Sequence, residues 1–394
     1  MQRMLQALRT RLLAWRYEAT GEGRGARDLR VDLLRGFCVV VMIIDHVGGE
    51  QSWLYVFTGG NRWIVSAAEG FVLLSGFTMG MVHNRTINVK GVRAMFEKVF
   101  GRAWLLYTLT VALTIAFAAV STALGAPYVE QQTPAHGRLD FAVSVLTFHR
   151  TYSLTDILVL YTLLVLMAGP ALWLIARGYT GLVIAASITA WAVEQLWPER
   201  VPRAWEIVDG GFPFSAWQLM FFMGLVIGFH RERLAKLLRP RPLVAFGLAM
   251  VIALYVIRFA TIHLLASGTG DVDVHELLFD KNDARIGRVI ALFAAASFAY
   301  AAVTLAWGPV RRVVGWLLLP MGKHALFAYA VQLFAVAFWS SELMAPVRLD
   351  RENALFQASA VLFVWGACLV QPIVIHRWHQ LTARREGPIP ATAG

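Results

Sequence analysis

Ten long apolar segments separated by charged connections dominate this sequence of 394 residues. Hydrophobic residues make up 58% of the chain and charged residues only 15%. Lipid offers the backbone no hydrogen-bond partners, so a chain crosses a bilayer as helices or as a closed barrel. Apolar runs of about twenty residues match a transmembrane helix. The sequence therefore predicts an all-α, polytopic integral membrane protein with about ten transmembrane helices. The segments are 33–48, 63–83, 103–124, 153–176, 179–197, 212–230, 242–266, 286–307, 313–339 and 354–376.

Lysine and arginine concentrate in alternate connections. Residues 1–35 carry eight arginines, and the connections 84–102 and 230–242 are also basic, whereas 266–285 is rich in aspartate. Basic loops remain cytoplasmic, so we expect a multi-pass membrane protein with both termini in the cytoplasm. The net charge of +11 follows this topology and does not predict a nucleic-acid partner. Cys38 and Cys368 lie in apolar segments, and no metal-ligand spacing occurs.

Three regions are predicted. Residues 1–29 form a basic, amphipathic cytoplasmic segment, with a disordered basic tail as the alternative. Residues 30–376 form one ten-helix membrane domain, and residues 377–394 form a disordered cytoplasmic tail. The ninth apolar segment is long and carries a helix-breaking sequence, Pro320-Met321-Gly322, near its middle.

Arg35, Asp45 and His46 lie in the first apolar segment. Ionisable residues at membrane depth mark functional sites by default. On a helix, Arg35 and His46 are separated by roughly 16 Å, so Arg35 is expected near the cytoplasmic face and His46 deep in the bilayer. An imidazole at that depth favours proton transfer. The alternative is a snorkelling arginine and a histidine that bonds another helix.

Other polar residues flank this pair. Arg30 and Arg35 can grip a phosphate or carboxylate, although Arg30 can also be a positive-inside arginine with a charge partner. Glu69 is a second intramembrane carboxylate. Ser75-Gly76 is a small pair that allows two helices to approach closely.

Arg-x10-His in the first segment and FVLLSGF in the second resemble the acyltransferase 3 superfamily of membrane acyltransferases. More narrowly, residues 30–376 resemble the OpgC family of osmoregulated periplasmic glucan succinyltransferases. The resemblance rests on RDLRVDLLRGFCVVVMIIDHV, SAAEGFVLLSGFTMGMV, FGRAWLLY, LTDILVLYTLLVLMAGPALWL, FSAWQLMFFMGLVIG, DKNDARIGRVIALF and GKHALFAYAVQLF.

This resemblance implies transfer of an acyl group, expected to be succinyl, from cytoplasmic acyl-CoA to a glucan or other glycan outside the inner membrane. Acyl-CoA is then a donor substrate, and no permanently bound cofactor is expected. His46 is the predicted general base, with Glu69 or Asp45 as its helper. Asp45 points about 100° away from His46 on a helix, so Glu69 is at least as good a partner. The cytoplasmic cations Arg35, Arg30 and Arg102 are assigned to the donor.

Later polar residues fit the lining of a substrate path, with interhelical hydrogen bonds or interfacial anchoring as the alternative for each. The residues assigned to substrate are Asp156, Tyr161, Gln218, Lys281, Arg288, His324 and Tyr329.

Two other functions remain open at this point. A proton-coupled transporter or exporter can use Asp45, His46 and Glu69 as a relay, but the sequence lacks internal repeat symmetry. A non-catalytic scaffold for glycan assembly leaves the intramembrane His46 without a role. Membrane lipid is an expected partner of the apolar helices. The sequence does not indicate whether the chain forms homo-oligomers.

Overall fold

A computed structural model describes residues 27–48, 52–59, 63–124, 137–151, 153–201, 212–262, 274–339, 341 and 353–385. These residues form helices and no strands, in agreement with the predicted all-α class. The amphipathic helix expected near the N-terminus lies outside the described residues. The helices are α1 (Leu29–Val47), α2 (Tyr55–Thr58), α3 (Ala67–Leu124), α4 (Arg138–Leu146), α5 (Asp156–Ala176), α6 (Thr180–Leu196), α7 (Phe214–Phe229), α8 (Arg231–Leu237), α9 (Pro240–Ala260), α10 (Val274–Phe279), α11 (Ile286–Leu305), α12 (Trp307–Lys323), α13 (Ala325–Trp339) and α14 (Ala354–Arg385).

Helical structure is present in each of the ten predicted segments. Five helices are long and apolar enough to cross a membrane, or six if the bent pair α12–α13 is one span. The protein is therefore a multi-pass membrane protein, while the number of ten crossings and the location of the termini stay predictions. The last helix extends to Arg385, so residues 377–385 of the segment expected to be a disordered tail are helical.

The longest helix, α3, is interrupted at Gly91, where φ is 85° and ψ is 173°. This φ lies in the left-handed region that glycine adopts without steric cost. Lys98 Nζ donates to Thr86 Oγ1 at 3.4 Å, although a straight helix would separate these positions by roughly 18 Å. The chain therefore folds back at Gly91, which separates the predicted second and third segments.

The ninth predicted segment is also broken. Helices α12 and α13 meet at a bend of 93° beside His324, just beyond the predicted break at Pro320-Met321-Gly322. Gly322 of α12 packs against the Asp32 carbonyl of α1, and Gly36 of α1 packs against the Leu318 carbonyl. The C-terminal part of α12 therefore packs against the first turns of α1. Helix α13 continues the ninth predicted segment in another direction.

Helix α1 occupies the middle of the helical assembly and is contacted by α3, α11, α12, α13 and α14. Most of its side chains are buried, including the apolar Val39 and Ile43. Helices α3 and α7 pack most extensively of all pairs. Gly76 and Gly80 of α3 meet the backbone of α7, and Gly224 and Gly228 of α7 meet the backbone of α3. These two small-xxx-small faces allow the close approach that Ser75-Gly76 predicted.

Candidate active site

His46 lies in the last turn of α1, and its side chain is exposed to a crevice of about 50 Å³. Asp45, although it precedes His46, lines the same crevice. Its carboxylate accepts a hydrogen bond from Thr58 Oγ1 at 2.6 Å. We call this space the His46 crevice. Its lining includes three further residues that the sequence assigned to substrate: Asp156, Lys281 and Tyr329.

Lys281 gives the His46 crevice a positive charge. It lies in the turn between α10 and α11, outside the helices. Burial lowers the pKa of the Lys281 ammonium, while the Glu69 and Asp45 carboxylates raise this pKa and Arg288 lowers it. Lys281 therefore shares the crevice with Asp45 and His46 and also responds to the charges of Glu69 and Arg288.

Arg35 lies in the N-terminal half of α1. It lines a second space of about 290 Å³, which we call the Arg35 cavity. Arg102, Tyr161 and Tyr329 also line it. The Arg35 guanidinium lies 5.4 Å from the centre of the Phe71 ring. Its buried Nε has no hydrogen-bond partner among the described residues. An unpaired guanidinium nitrogen in a cavity is suited to bind an anionic or carbonyl group of a ligand.

The two spaces adjoin each other, because Ile157 and Tyr329 line both. Phe71 stacks on Tyr329 at 6.3 Å and makes an edge contact with Tyr161 at 5.9 Å. The Tyr329 hydroxyl donates to the Leu154 carbonyl at 2.8 Å, and the Tyr161 hydroxyl donates to Ser75 Oγ at 3.3 Å. Aromatic residues therefore stand between Arg35 and His46.

Glu69 occupies a different position from the one that the sequence favoured. Its two oxygens accept hydrogen bonds from Arg288 at 2.6 and 3.1 Å, and one also accepts the Ser66 backbone N–H at 2.6 Å. Glu69 is fully buried, and Arg288 is 5% exposed. The pair joins the beginning of α3 to the beginning of α11. Glu69 therefore pairs with Arg288 and with the N-terminus of α3, and not with His46 as the sequence predicted. Arg288, which the sequence assigned to substrate, is paired with Glu69.

Arg30 is enclosed by protein. It is 0% exposed, donates to both oxygens of Asp28 at 2.9 and 2.7 Å, and donates to Thr304 Oγ1 at 2.8 Å. Its guanidinium also lies over the Tyr300 ring at 4.5 Å. This network fits the alternative prediction, in which Arg30 is an arginine with a charge partner. Arg30 does not line the Arg35 cavity, whereas Arg35 and Arg102 do.

Gln218 and His324 also lie away from the His46 crevice. Gln218 accepts from Ser187 Oγ at 2.7 Å and donates to the Ser187 carbonyl at 2.8 Å, which links α7 to α6. His324 ends α12, where the preceding Lys323 carbonyl accepts from Arg27 Nη2 at 2.9 Å. Because Arg27 pairs with Asp32, His324 lies at the beginning of α1, the end opposite His46.

Phe71 and His83 line the Arg35 cavity but were not among the predicted site residues. Phe71 packs against Tyr161 and Tyr329. It begins the motif FVLLSGF, but an apolar side chain in an apolar segment does not by itself indicate a site residue. His83 lines the Arg35 cavity, is 6% exposed, and has a buried Nδ1 without a hydrogen-bond partner among the described residues. His83 is the last residue of the second predicted segment, so the rule that singled out His46 applied to it as well.

A family model described as OpgC protein matches residues 27–380, which is most of the chain. The chain belongs to the OpgC protein family. No curated protein matches the sequence. Membership of the OpgC family implies a transferase, and its match includes both α1 with Arg35 and His46 and the residues of the Arg35 cavity.

Proposed function

We propose that this OpgC family member is a membrane O-acyltransferase of the acyltransferase 3 type in the bacterial inner membrane. It transfers an acyl group, with succinyl as the expected group, from cytoplasmic acyl-CoA to a hydroxyl of a periplasmic glucan. The observation that carries this proposal is the shared wall of Ile157 and Tyr329 between the Arg35 cavity and the His46 crevice. Two substrates entering from opposite sides can meet at such a wall.

In the proposed reaction, His46 is the proton acceptor. Neutral imidazole takes the proton of the glucan hydroxyl as its oxygen attacks the thioester carbonyl. The new carbon–oxygen bond forms, the carbon–sulfur bond breaks, and the imidazolium returns the proton to the departing CoA thiolate. Asp45, held by Thr58, lies at the same crevice and favours the imidazolium that forms during the reaction.

Charge in the His46 crevice supports a negatively charged acyl group. The sequence offered Arg288 or Lys281 as the cation for a succinyl carboxylate. Because Lys281 lines the His46 crevice, whereas Arg288 pairs with Glu69 at the beginning of α11, we assign Lys281 to this role. In this proposal the same ammonium also stabilises negative charge that develops on the thioester oxygen.

The test is transfer by the purified protein without any ion gradient. With succinyl-CoA and a glucan oligosaccharide, we expect CoA thiol release together with a glucan product that carries succinyl ester. A panel of acetyl, propionyl and succinyl donors defines the acyl group, and a Lys281→Met variant is expected to lose preference for succinyl. If the wild-type protein releases no thiol from any acyl-CoA, the proposed function is wrong, and a gradient-dependent transporter becomes the better reading.

A further inference from the structure

A third space lies next to the Arg35 cavity, on the side away from His46. This basic groove has a volume of about 1000 Å³ and shares Thr78, Val82 and Lys98 with the Arg35 cavity. Its walls come from the beginning of α1, from α3 on both sides of Gly91, and from the junction of α7 and α8. The groove, the cavity and the crevice therefore adjoin in that order.

The groove carries more positive than negative side chains. Five basic residues face three acidic ones, and two of the basic residues are paired: Arg27 with Asp32, and Arg231 with Asp28. The remaining basic residues are Arg85, Lys90 and Lys98. Arg85 and Lys90 are exposed and make no ion pair with any described residue. Such a groove suits a ligand with several negative charges that stays partly hydrated.

The Arg35 cavity suits a less charged group. Apart from Arg35, Arg102, Lys98 and His83, its walls are mostly apolar side chains and aromatic rings. Moving several phosphates into that space carries a large desolvation cost. His83 adds an independent sign of a ligand. It lines this cavity together with Lys98, and its buried Nδ1 lacks a hydrogen-bond partner among the described residues.

We infer that the basic groove binds the nucleotide phosphates of the acyl-CoA donor, while the Arg35 cavity holds its pantetheine arm. This inference rests on the proposed function and divides the donor between two spaces. Arg85 and Lys90 contact the phosphates, His83 hydrogen-bonds the pantetheine arm, and Arg35 acts nearer the thioester. From the sequence, Arg35 was assigned to the donor as a residue that can grip a phosphate or carboxylate. The present assignment moves the CoA phosphates to the basic groove and leaves Arg35 nearer the thioester.

Truncated donors separate these roles. The variants are Arg85→Gln/Lys90→Gln, His83→Ala and Arg35→Lys, and the matched control is Arg93→Gln. Arg93 lies in the same region of α3 and is exposed, but it pairs with Glu97 and does not line the groove. Each protein is assayed with succinyl-CoA, succinyl-dephospho-CoA and succinyl-pantetheine.

Loss of charge-assisted hydrogen bonds in Arg85→Gln/Lys90→Gln should raise the KM for succinyl-CoA by roughly tenfold or more. The same variant should leave the KM for succinyl-pantetheine unchanged, because that donor has no nucleotide. His83→Ala and Arg35→Lys should raise the KM for both donors, and Arg93→Gln should change neither.

The inference is overturned if Arg85→Gln/Lys90→Gln affects all three donors equally or affects none. It is also overturned if this variant changes only the dependence of the rate on anionic lipid in nanodiscs, since the groove would then bind lipid headgroups. These outcomes differ from a failure of the proposed function, in which the wild-type protein uses none of the three thioesters.

Discussion

Glu69 and Arg288 form a buried ion pair in which Arg288 Nε donates to Glu69 Oε1 at 2.6 Å and Nη2 donates to Oε2 at 3.1 Å. The pair ties the first turn of α3 to the first turn of α11. Both residues were assigned from the sequence to the reaction itself, one as a helper of His46 and the other as a substrate ligand. The geometry instead places them beside the His46 crevice, where they hold two of its supporting helices together.

This pair predicts a stability effect. Arg288→Met leaves the Glu69 carboxylate buried without its cation, which typically costs about 3–5 kcal/mol. The double variant Glu69→Leu/Arg288→Met removes both charges and should recover much of that loss, since apolar replacement of a whole buried pair is often neutral. Thermal unfolding in detergent measures both. Full stability of Arg288→Met combined with a raised KM would instead identify Arg288 as a substrate ligand.

His46 should be required for chemistry and not for folding. His46→Ala should insert, purify and bind acyl-CoA, while its transfer rate falls by about 10²–10⁴-fold, as is typical for loss of a general base. Because only neutral imidazole accepts a proton, the wild-type rate should decrease as the pH falls through the imidazole pKa. His46→Ala should lack this acidic decrease. Activity of His46→Ala within a few-fold of wild type would show that His46 is a structural residue.

The contact between α3 and α7 predicts a contrast between two glycines of one helix. A Cβ at Gly76 would overlap the Phe221 carbonyl, whereas a Cβ at Gly101 would meet nothing within 4 Å. Gly76→Ala should therefore destabilise the protein by about 1–3 kcal/mol through overpacking. Gly101→Ala should be neutral or stabilising by roughly 0.5–1 kcal/mol because alanine favours the helix. Equal unfolding temperatures for the two variants would contradict the close packing.

Topology remains a prediction that reporter fusions can test. The alternation of basic connections predicts that fusions after Ala135 and His275 report the periplasmic side and that one after Lys236 reports the cytoplasm. The basic groove, which includes Arg231 near this last position, then opens to the side where acyl-CoA is made. A periplasmic signal after Lys236 would reverse the orientation and remove the proposed route for the donor.

Several features were predictable because they depend on local composition. The apolar segments gave the helices and the membrane class, and Pro320-Met321-Gly322 marked the region of the bend at His324. The spacing of Arg35 and His46 predicted that they lie roughly 16 Å apart along one helix, and both residues do lie on α1. Their depths in the membrane stay predictions. Their roles, like the proposed donor and acceptor, stay predictions that the assays above test.

The pairings between distant residues were not predictable. Glu69 and Arg288, Arg30 and Thr304, and Gln218 and Ser187 are brought together only when helices pack. Glu69, Arg288 and Gln218 gave the same sequence signal as His46, because an intramembrane polar group must find some partner. Whether that partner is another helix or a substrate depends on its neighbours in space.

The sequence by itself determined that the chain forms membrane helices, since a run of apolar side chains and the demand for backbone hydrogen bonds in lipid are local properties. It also determined which helix carries Arg35 and His46. Only the tertiary structure decided which polar residues pair with another helix and which line a cavity. The fold of α3 at Gly91 and the bend at His324 set that division, because they fix which faces of the helices meet.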